Sequence, residues 1–136
     1  MGDSIATAIL TDALVDFDYD VVALMKKDSI EMTEADRATI RSHIENNPST
    51  HFIITHGTDT MAETAQALEG IAGKTIVLTG ALTPARFRTT DAVFNIGMAV
   101  AAVQTAKSGV CIAMSGQVFE ASRVRKNRKE NRFEAI

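Results

Sequence analysis

The chain has 136 residues, of which 46% are hydrophobic, and its formal net charge at pH 7 is -3. This length fits a single domain over residues 1–136 with a sizeable core, and it leaves no room for a second domain. The acidic balance gives no general case for binding nucleic acid or an anionic membrane surface, and no apolar run approaches the roughly 18 residues of a membrane span.

Helix and strand patterns alternate from the start of the chain. Ser4 can cap a helix over residues 4–15, and residues 19–25 have the apolar, β-branched composition of a strand. Thr33, with Asp36 three residues later, has the pattern of a capping box. A second helix is therefore predicted to begin just after Thr33.

The turn at residues 55–61 is more polar than one helix start requires. It follows a short buried strand predicted at residues 52–54 and leads into a predicted helix. Thr60 and Glu63 have the spacing of a capping box, which would account for one of the hydroxyl groups. Thr58 and Asp59 remain unassigned, so this turn is a candidate site for a polar ligand.

The second half of the chain continues the alternation. A strand is predicted at Thr75–Thr79, and a polar loop at residues 83–91 precedes an alanine-rich helix over residues 92–105. A further apolar strand is predicted at residues 110–114, and the tail from Glu120 onward is dense in charge.

This alternation predicts an α/β fold. Short β-branched strands separated by helices form βαβ units with right-handed crossovers. We therefore expect a doubly wound, Rossmann- or flavodoxin-like, mostly parallel sheet with helices on both faces. Ligands bind at the carboxyl ends of the strands in such sheets, where the loops with Ser29, with Thr58 and Asp59, and with Thr79 and Gly80 would share one rim.

Several motifs closely resemble the N-terminal domain of bacterial L-asparaginases in both order and spacing. They are HGTDTMAETA at 56–65, VLTGAL at 77–82, and Asp91 with Asn95; KDSIEMTEADR at 27–37 and VRKNR at 124–128 resemble the short, single-domain members. The resemblance covers almost the whole chain.

The resemblance implies an amidohydrolase that converts asparagine and water to aspartate and ammonia through a threonine acyl-enzyme, without metal or organic cofactor. By position, Thr58, Lys126 and Asp59 match the family's Thr-Lys-Asp triad, and Thr58 also matches a substrate-binding residue. Asp59 matches the residue that binds the substrate's α-amino group, and Ser29 matches the serine that holds its α-carboxylate. A homo-oligomer, dimer or tetramer, is also implied.

The basic run around Lys126 fits this chemistry. A threonine hydroxyl is a poor nucleophile until a base takes its proton, and a lysine serves as that base only when burial or a nearby cation lowers its pKa. Arg123, Arg125 and Arg128 are close to Lys126 in sequence and could supply the nearby positive charge. Without the resemblance, the run would be interpreted as a solvated basic segment.

One element of the family pattern is missing. Asparaginases begin with an apolar strand ending in Thr-Gly-Gly-Thr-Ile, whose first threonine is the usual primary nucleophile, followed by a loop with an activating tyrosine. This chain contains neither, and Tyr19 lies in a predicted strand. We expect a domain truncated at its N-terminus or given a misplaced start, with residues 19–25 and 52–55 facing a gap and with weak or no activity.

Three rival functions stay open. The first is a catalytically dead module that binds aspartate or asparagine, or that a partner completes by adding a strand. The second is a glutaminase or an ammonia-producing amidotransferase component. The third, a flavodoxin-like nucleotide-binding protein, is disfavoured because the chain has no glycine-rich phosphate loop.

The histidines and the cysteine indicate no additional catalytic or metal site. His56, at a strand end, is more typical of a hydrogen-bonded structural group than of a base. Three scattered histidines and the single Cys111, in an apolar run, predict no metal site. The N-terminus lacks the basic and apolar regions of a signal peptide, so a cytoplasmic location is the default expectation.

Overall fold

The computed structural model describes residues 5–83 and 90–136. The predicted cap Ser4 and most of the predicted polar loop at 83–91 therefore lie outside the described residues. The helices of the described part are α1 (Ile5–Asp12), α2 (Glu34–Glu45), α3 (Met61–Ala67) and α4 (Ala92–Thr105). Its strands are β1 (His51–Thr55), β2 (Thr75–Thr79), β3 (Gly109–Met114), β4 (Gln117–Glu120), β5 (Val124–Asn127) and β6 (Arg132–Ala135).

The main sheet has the order β1-β2-β3-β4. The pairs β1–β2 and β2–β3 are parallel, whereas β4 runs antiparallel to β3. All five residues of β2 are buried, as expected for a central parallel strand covered on both faces. Strands β5 and β6 form a separate antiparallel pair.

Side chains that alternate along the strands build two cores on opposite faces of the sheet. Ile76 and Leu78 pack in a cluster with residues of α2 and α3, whereas Val77 packs with Ala99 and Val103 of α4. The helices therefore cover both faces, which confirms the predicted α/β fold with a mostly parallel sheet.

Helix α2 begins as its sequence predicts. The Thr33 hydroxyl accepts a hydrogen bond from the backbone N–H of Asp36 at 3.1 Å, and the Asp36 carboxylate accepts one from the N–H of Thr33 at 2.9 Å. This confirms the capping box, because each of the two side chains satisfies a backbone N–H group that would otherwise be unpaired at the helix start.

The strand predicted at residues 19–25 is wrong. Within residues 5–83 and 90–136 this segment has no strand partner, and it leaves Val21 and Val22 more than half exposed. Strand β1 pairs with β2 on one side, and no other described strand pairs with its outer edge. A strand needs a neighbour for its backbone hydrogen bonds, so strand propensity without such a neighbour does not produce a strand.

Candidate active site

The turn after β1 packs tightly against the segment that contains Ser29 and is hydrogen-bonded to it. A Cβ atom on Gly57 would lie 2.9 Å from both Cβ and Oγ of Ser29, so only glycine fits this approach without a shift. The Thr60 hydroxyl donates to the carbonyl of Ser29 at 2.6 Å. Ser29 itself is buried, with 1% of its surface exposed.

The predicted capping box of Thr60 with Glu63 is wrong. Thr60 precedes α3, but its side chain makes no capping hydrogen bond. Its hydroxyl is turned toward the Ser29 loop instead, because one long-range hydrogen bond there replaces the local one at the helix start. The hydroxyl that local sequence assigned to a helix thus joins two loops at the rim of the sheet.

Lys126 meets the turn from strand β5. Its ammonium nitrogen donates to Oγ1 of Thr58 and to Oδ1 of Asp59, each at 2.8 Å. The Lys126 side chain is 9% exposed and that of Asp59 is 34% exposed. The structure therefore brings three of the four predicted site residues into direct contact, with Ser29 against the neighbouring Gly57.

The charge around Asp59 is mainly positive. The hydrogen bond from Lys126 is the largest of the interactions that hold the pKa of Asp59 below its usual value, and Arg128 also lowers it. Arg128 donates from Nη2 to the backbone carbonyl of Asp59 at 2.9 Å. Arg125 instead pairs with Glu134 at 2.7 Å, so of these two arginines Arg128 is the one that reaches the site.

His56 supports the turn from beneath. Its Nδ1 lies 2.6 Å from the carbonyl oxygen of Gly57, which can only accept, so Nδ1 carries the proton. Nε2 then accepts from the Thr64 hydroxyl at 2.8 Å, and that hydroxyl accepts from Nε of buried Arg37 at 2.9 Å. Burial is the largest cause that lowers the pKa of His56, and Arg37 lowers it further.

We expect His56 to make the protein less stable as the pH falls below about 6.5. Its pKa in the folded state is lower than the ordinary histidine value of about 6.5, so the unfolded chain binds more protons in that range. The free energy of unfolding should fall by at most about 1.4 kcal/mol per pH unit from this one group. Urea unfolding of the protein and of His56→Gln, between about pH 7.5 and pH 5.5, measures the slope.

The exposed His51 provides the control. His51→Gln should leave the pH dependence of unfolding as it is in the wild type, because its side chain lies at the surface. The prediction fails if His56→Gln and the wild type lose stability equally over this range.

The loop after β2 is held by Asn95 and Asp91. Buried Asn95 donates to the Gly80 carbonyl at 2.8 Å and to Asp91 at 2.9 Å, and it accepts from the N–H of Ser115 at 3.0 Å. Burial by itself raises the pKa of Asp91, but its hydrogen bonds, including those from the N–H groups of Leu82 and Thr83, outweigh this effect and lower the pKa. The two residues thereby hold the ends of β2 and β3 together at the rim.

Three further features of the described residues are the possible metal ligands, the lengths of the helices and the cysteine. Among residues 5–83 and 90–136, no group of three or more His, Cys, Asp or Glu side chains could hold a metal ion. No described helix is long and apolar enough to cross a membrane. Cys111 is half-buried, and burial raises the pKa of its thiol, which opposes a role as a nucleophile.

Two curated relatives resemble this chain over part of their length. The probable periplasmic L-asparaginase of Haemophilus influenzae is 42% identical over 80 residues, which is 55% of this chain and 23% of that protein. L-asparaginase 2 of Escherichia coli K12 is 38% identical over 80 residues, with the same two shares. The match thus spans about a quarter of the length of each relative. One of the two relatives is named periplasmic, so a cytoplasmic location of this chain stays a prediction.

The family comparison covers nearly the whole sequence. The family model described as the N-terminal part of asparaginase matches residues 3–136. It includes the turn with Thr58 and Asp59, the strand with Lys126 and the loop that Asn95 holds. The chain therefore belongs to the asparaginase family, within the region that forms its N-terminal domain.

Proposed function

We propose that this chain carries the amino-acid-binding turn and part of the catalytic triad of an L-asparaginase-type amidohydrolase, which hydrolyses asparagine to aspartate and ammonia. The observation that supports this best is the contact of Lys126 with both Thr58 and Asp59 at 2.8 Å. These residues are 67 and 68 positions apart in sequence, so chance proximity within one loop does not explain the contact.

In the proposed reaction a threonine hydroxyl oxygen attacks the side-chain amide carbon of asparagine. The hydroxyl proton passes to the lysine in its neutral form, the lysine gives this proton to the leaving amide nitrogen, and ammonia departs. Water then hydrolyses the resulting ester to aspartate. Lys126 is the base of this scheme, and Thr58 is the threonine within its reach. Asp59 binds the α-ammonium group of the substrate, because a charge-assisted hydrogen bond is stronger than a neutral one.

We further propose that this apparatus is only part of the catalytic machinery. The outer edge of β1 lacks a partner among the described strands, and residues 19–25 form no strand with any described part of the chain. The family's nucleophile strand fits this position. The chain alone would then be weakly active or inactive, and it could serve as a binding module that a separate strand completes.

A binding measurement tests the proposal without depending on turnover. We expect L-aspartate, the product, to bind, and Asp59→Asn to weaken this binding about 10- to 100-fold, because the ammonium group loses its charged partner. Isothermal titration calorimetry on the wild type and the variant gives both dissociation constants.

Asp18→Asn is the matched control, since Asp18 is exposed and lies outside the site. The proposal fails if L-aspartate does not bind, or if both substitutions have the same effect. Ammonia release from asparagine and from glutamine separates the two amidase functions, because a pocket distinguishes one methylene group by only about 1–3 kcal/mol. Binding without any ammonia release would favour the binding module.

A further inference from the structure

Arg37 is a buried cation at one end of a line of hydrogen bonds that reaches the turn after β1. It lies on α2 with 6% of its surface exposed, and its Nε donates to Oγ1 of the fully buried Thr64 on α3 at 2.9 Å. Its acidic partner is Glu34, whose side chain is 87% exposed. An ion pair with so exposed a carboxylate stabilises a protein little, so pairing with Glu34 does not explain why this guanidinium group is buried.

The donor and acceptor roles along this line are fixed at both ends. A guanidinium nitrogen can only donate, so Oγ1 of Thr64 accepts from Arg37, and its hydroxyl proton is left for Nε2 of His56 at 2.8 Å. At the other end the carbonyl oxygen of Gly57 can only accept, so Nδ1 of His56 donates to it at 2.6 Å. One state of His56 satisfies both contacts, namely the neutral ring with its proton on Nδ1.

The two other states of the imidazole ring fit these contacts poorly. With the proton on Nε2 alone, the bare Nδ1 would face the Gly57 carbonyl, and two acceptors repel each other. In the doubly protonated ring, two positive charges would lie on either side of one buried hydroxyl group. Both states would also leave the hydroxyl proton of Thr64 without the Nε2 acceptor. Arg37 therefore acts against both of them through Thr64.

The charges near His56 act in the same direction. Burial is the largest cause that lowers the pKa of His56, and the charge of Arg37 on α2 lowers it further. The hydrogen bond to Gly57 and the charge of Glu63 on α3 raise this pKa, but they do not outweigh the two lowering causes. Removing Arg37 is therefore expected to move the pKa of His56 upward, toward the ordinary histidine value.

We propose that Arg37 is a positioning residue of this site: through Thr64 it keeps His56 neutral with the proton on Nδ1, and His56 in that state holds the Gly57 carbonyl. The peptide group of Gly57 leads directly into Thr58. The inference goes beyond the proposed function, because the state of His56 can be observed without any ligand. Its effect on ligand binding rests on the proposed function.

Nitrogen-15 NMR of the full chain tests the proposal, because protonated and bare ring nitrogens of histidine give separate signals. The amide of Thr58 shares a peptide group with the Gly57 carbonyl, so its signal reports the hydrogen bond to that carbonyl. At pH 7.5 we expect wild-type His56 to be protonated on Nδ1 alone. In Arg37→Met, which keeps much of the side-chain length but cannot donate, part of the ring should be protonated on Nε2. The Thr58 amide should shift, and His56 should titrate at higher pH than in the wild type.

Two further variants separate donation from general effects on α2. Arg37→Lys should keep the wild-type signals, because an ammonium group can also donate to Thr64 and retains the charge. Arg41→Met removes a cation one helical turn away, whose guanidinium group donates to backbone carbonyls at the end of α3 and not to Thr64. It should leave the ring signals and the titration of His56 as they are in the wild type.

Three NMR outcomes would overturn the inference. A wild-type His56 that is protonated on Nε2 at pH 7.5 would do so without any variant. Wild-type ring signals and titration in Arg37→Met would show that burial and the Gly57 carbonyl fix His56 without Arg37. Equal changes in Arg37→Met and Arg41→Met would show a general effect of charge on α2.

Calorimetric titration with L-aspartate connects the state of His56 to the site. We expect Arg37→Met to bind L-aspartate about two- to tenfold more weakly than the wild type, the usual worth of one hydrogen bond. Unchanged affinity despite altered ring signals would overturn the positioning role. If the wild type does not bind L-aspartate but the ring signals change as expected, the proposed function fails and the inferred role of Arg37 in fixing His56 is supported.

Discussion

Joining this chain to a strand that carries Thr-Gly-Gly-Thr-Ile is expected to raise ammonia release from asparagine about 10⁴-fold or more over the chain alone. The estimate follows from triad hydrolases, in which loss of the nucleophile costs on the order of 10⁴- to 10⁶-fold in kcat. The added strand can pair with the outer edge of β1, which lacks a described partner. Steady-state ammonia assays on the two proteins measure the change.

A matched strand in which both threonines are replaced by valine separates catalysis from folding. It can make the same backbone hydrogen bonds to β1 but provides no hydroxyl group. We expect it to raise the midpoint of urea unfolding as much as the threonine strand does while leaving the rate of ammonia release low. Equal activity with either strand, or full activity of the chain alone, would contradict the prediction.

Replacing Lys126 with methionine in the joined protein should lower kcat about 10²- to 10⁴-fold, the usual contribution of a positioned acid–base group. Methionine has a similar length but cannot take a proton from the threonine hydroxyl. Lys129→Met is the control, because Lys129 is exposed in the same basic segment.

Lys126→Arg distinguishes proton transfer from simple charge. Arginine retains the positive charge beside Asp59 but is not deprotonated in proteins. We therefore expect Lys126→Arg to lose about as much activity as Lys126→Met. If Lys126→Arg keeps most of the activity, Lys126 acts through its charge and not as a base.

Predictions from local sequence were correct where the structure depends on residues that are close together in the chain. The capping box of Thr33 and Asp36 closes within four positions, and the apolar run Thr75–Thr79 can only be buried. The same reasoning failed at residues 19–25, where strand composition lacks a neighbouring strand, and at Thr60, whose hydroxyl bonds to Ser29 and not to its own helix. Both errors arise because the deciding partner is distant or missing.

The order of residues in the basic segment separates its cations into two groups. Arg125 and Lys126 are adjacent, and successive side chains of a strand point to opposite sides. In β5, Arg125 therefore pairs with Glu134 of β6, whereas Lys126 reaches Thr58 and Asp59. Without knowing that residues 124–127 form a strand, the segment could be interpreted only as a group of cations.

By itself, the sequence determined the α/β class, the family and the polar turn with Thr58 and Asp59, because these depend on hydrophobic periodicity and on short motifs. Only the tertiary structure decided which cations reach that turn, that Ser29 is buried beneath it, and that the outer edge of β1 lacks a described partner. These features depend on contacts between residues that are tens of positions apart, and such contacts form only when the sheet and the β5–β6 hairpin pack together.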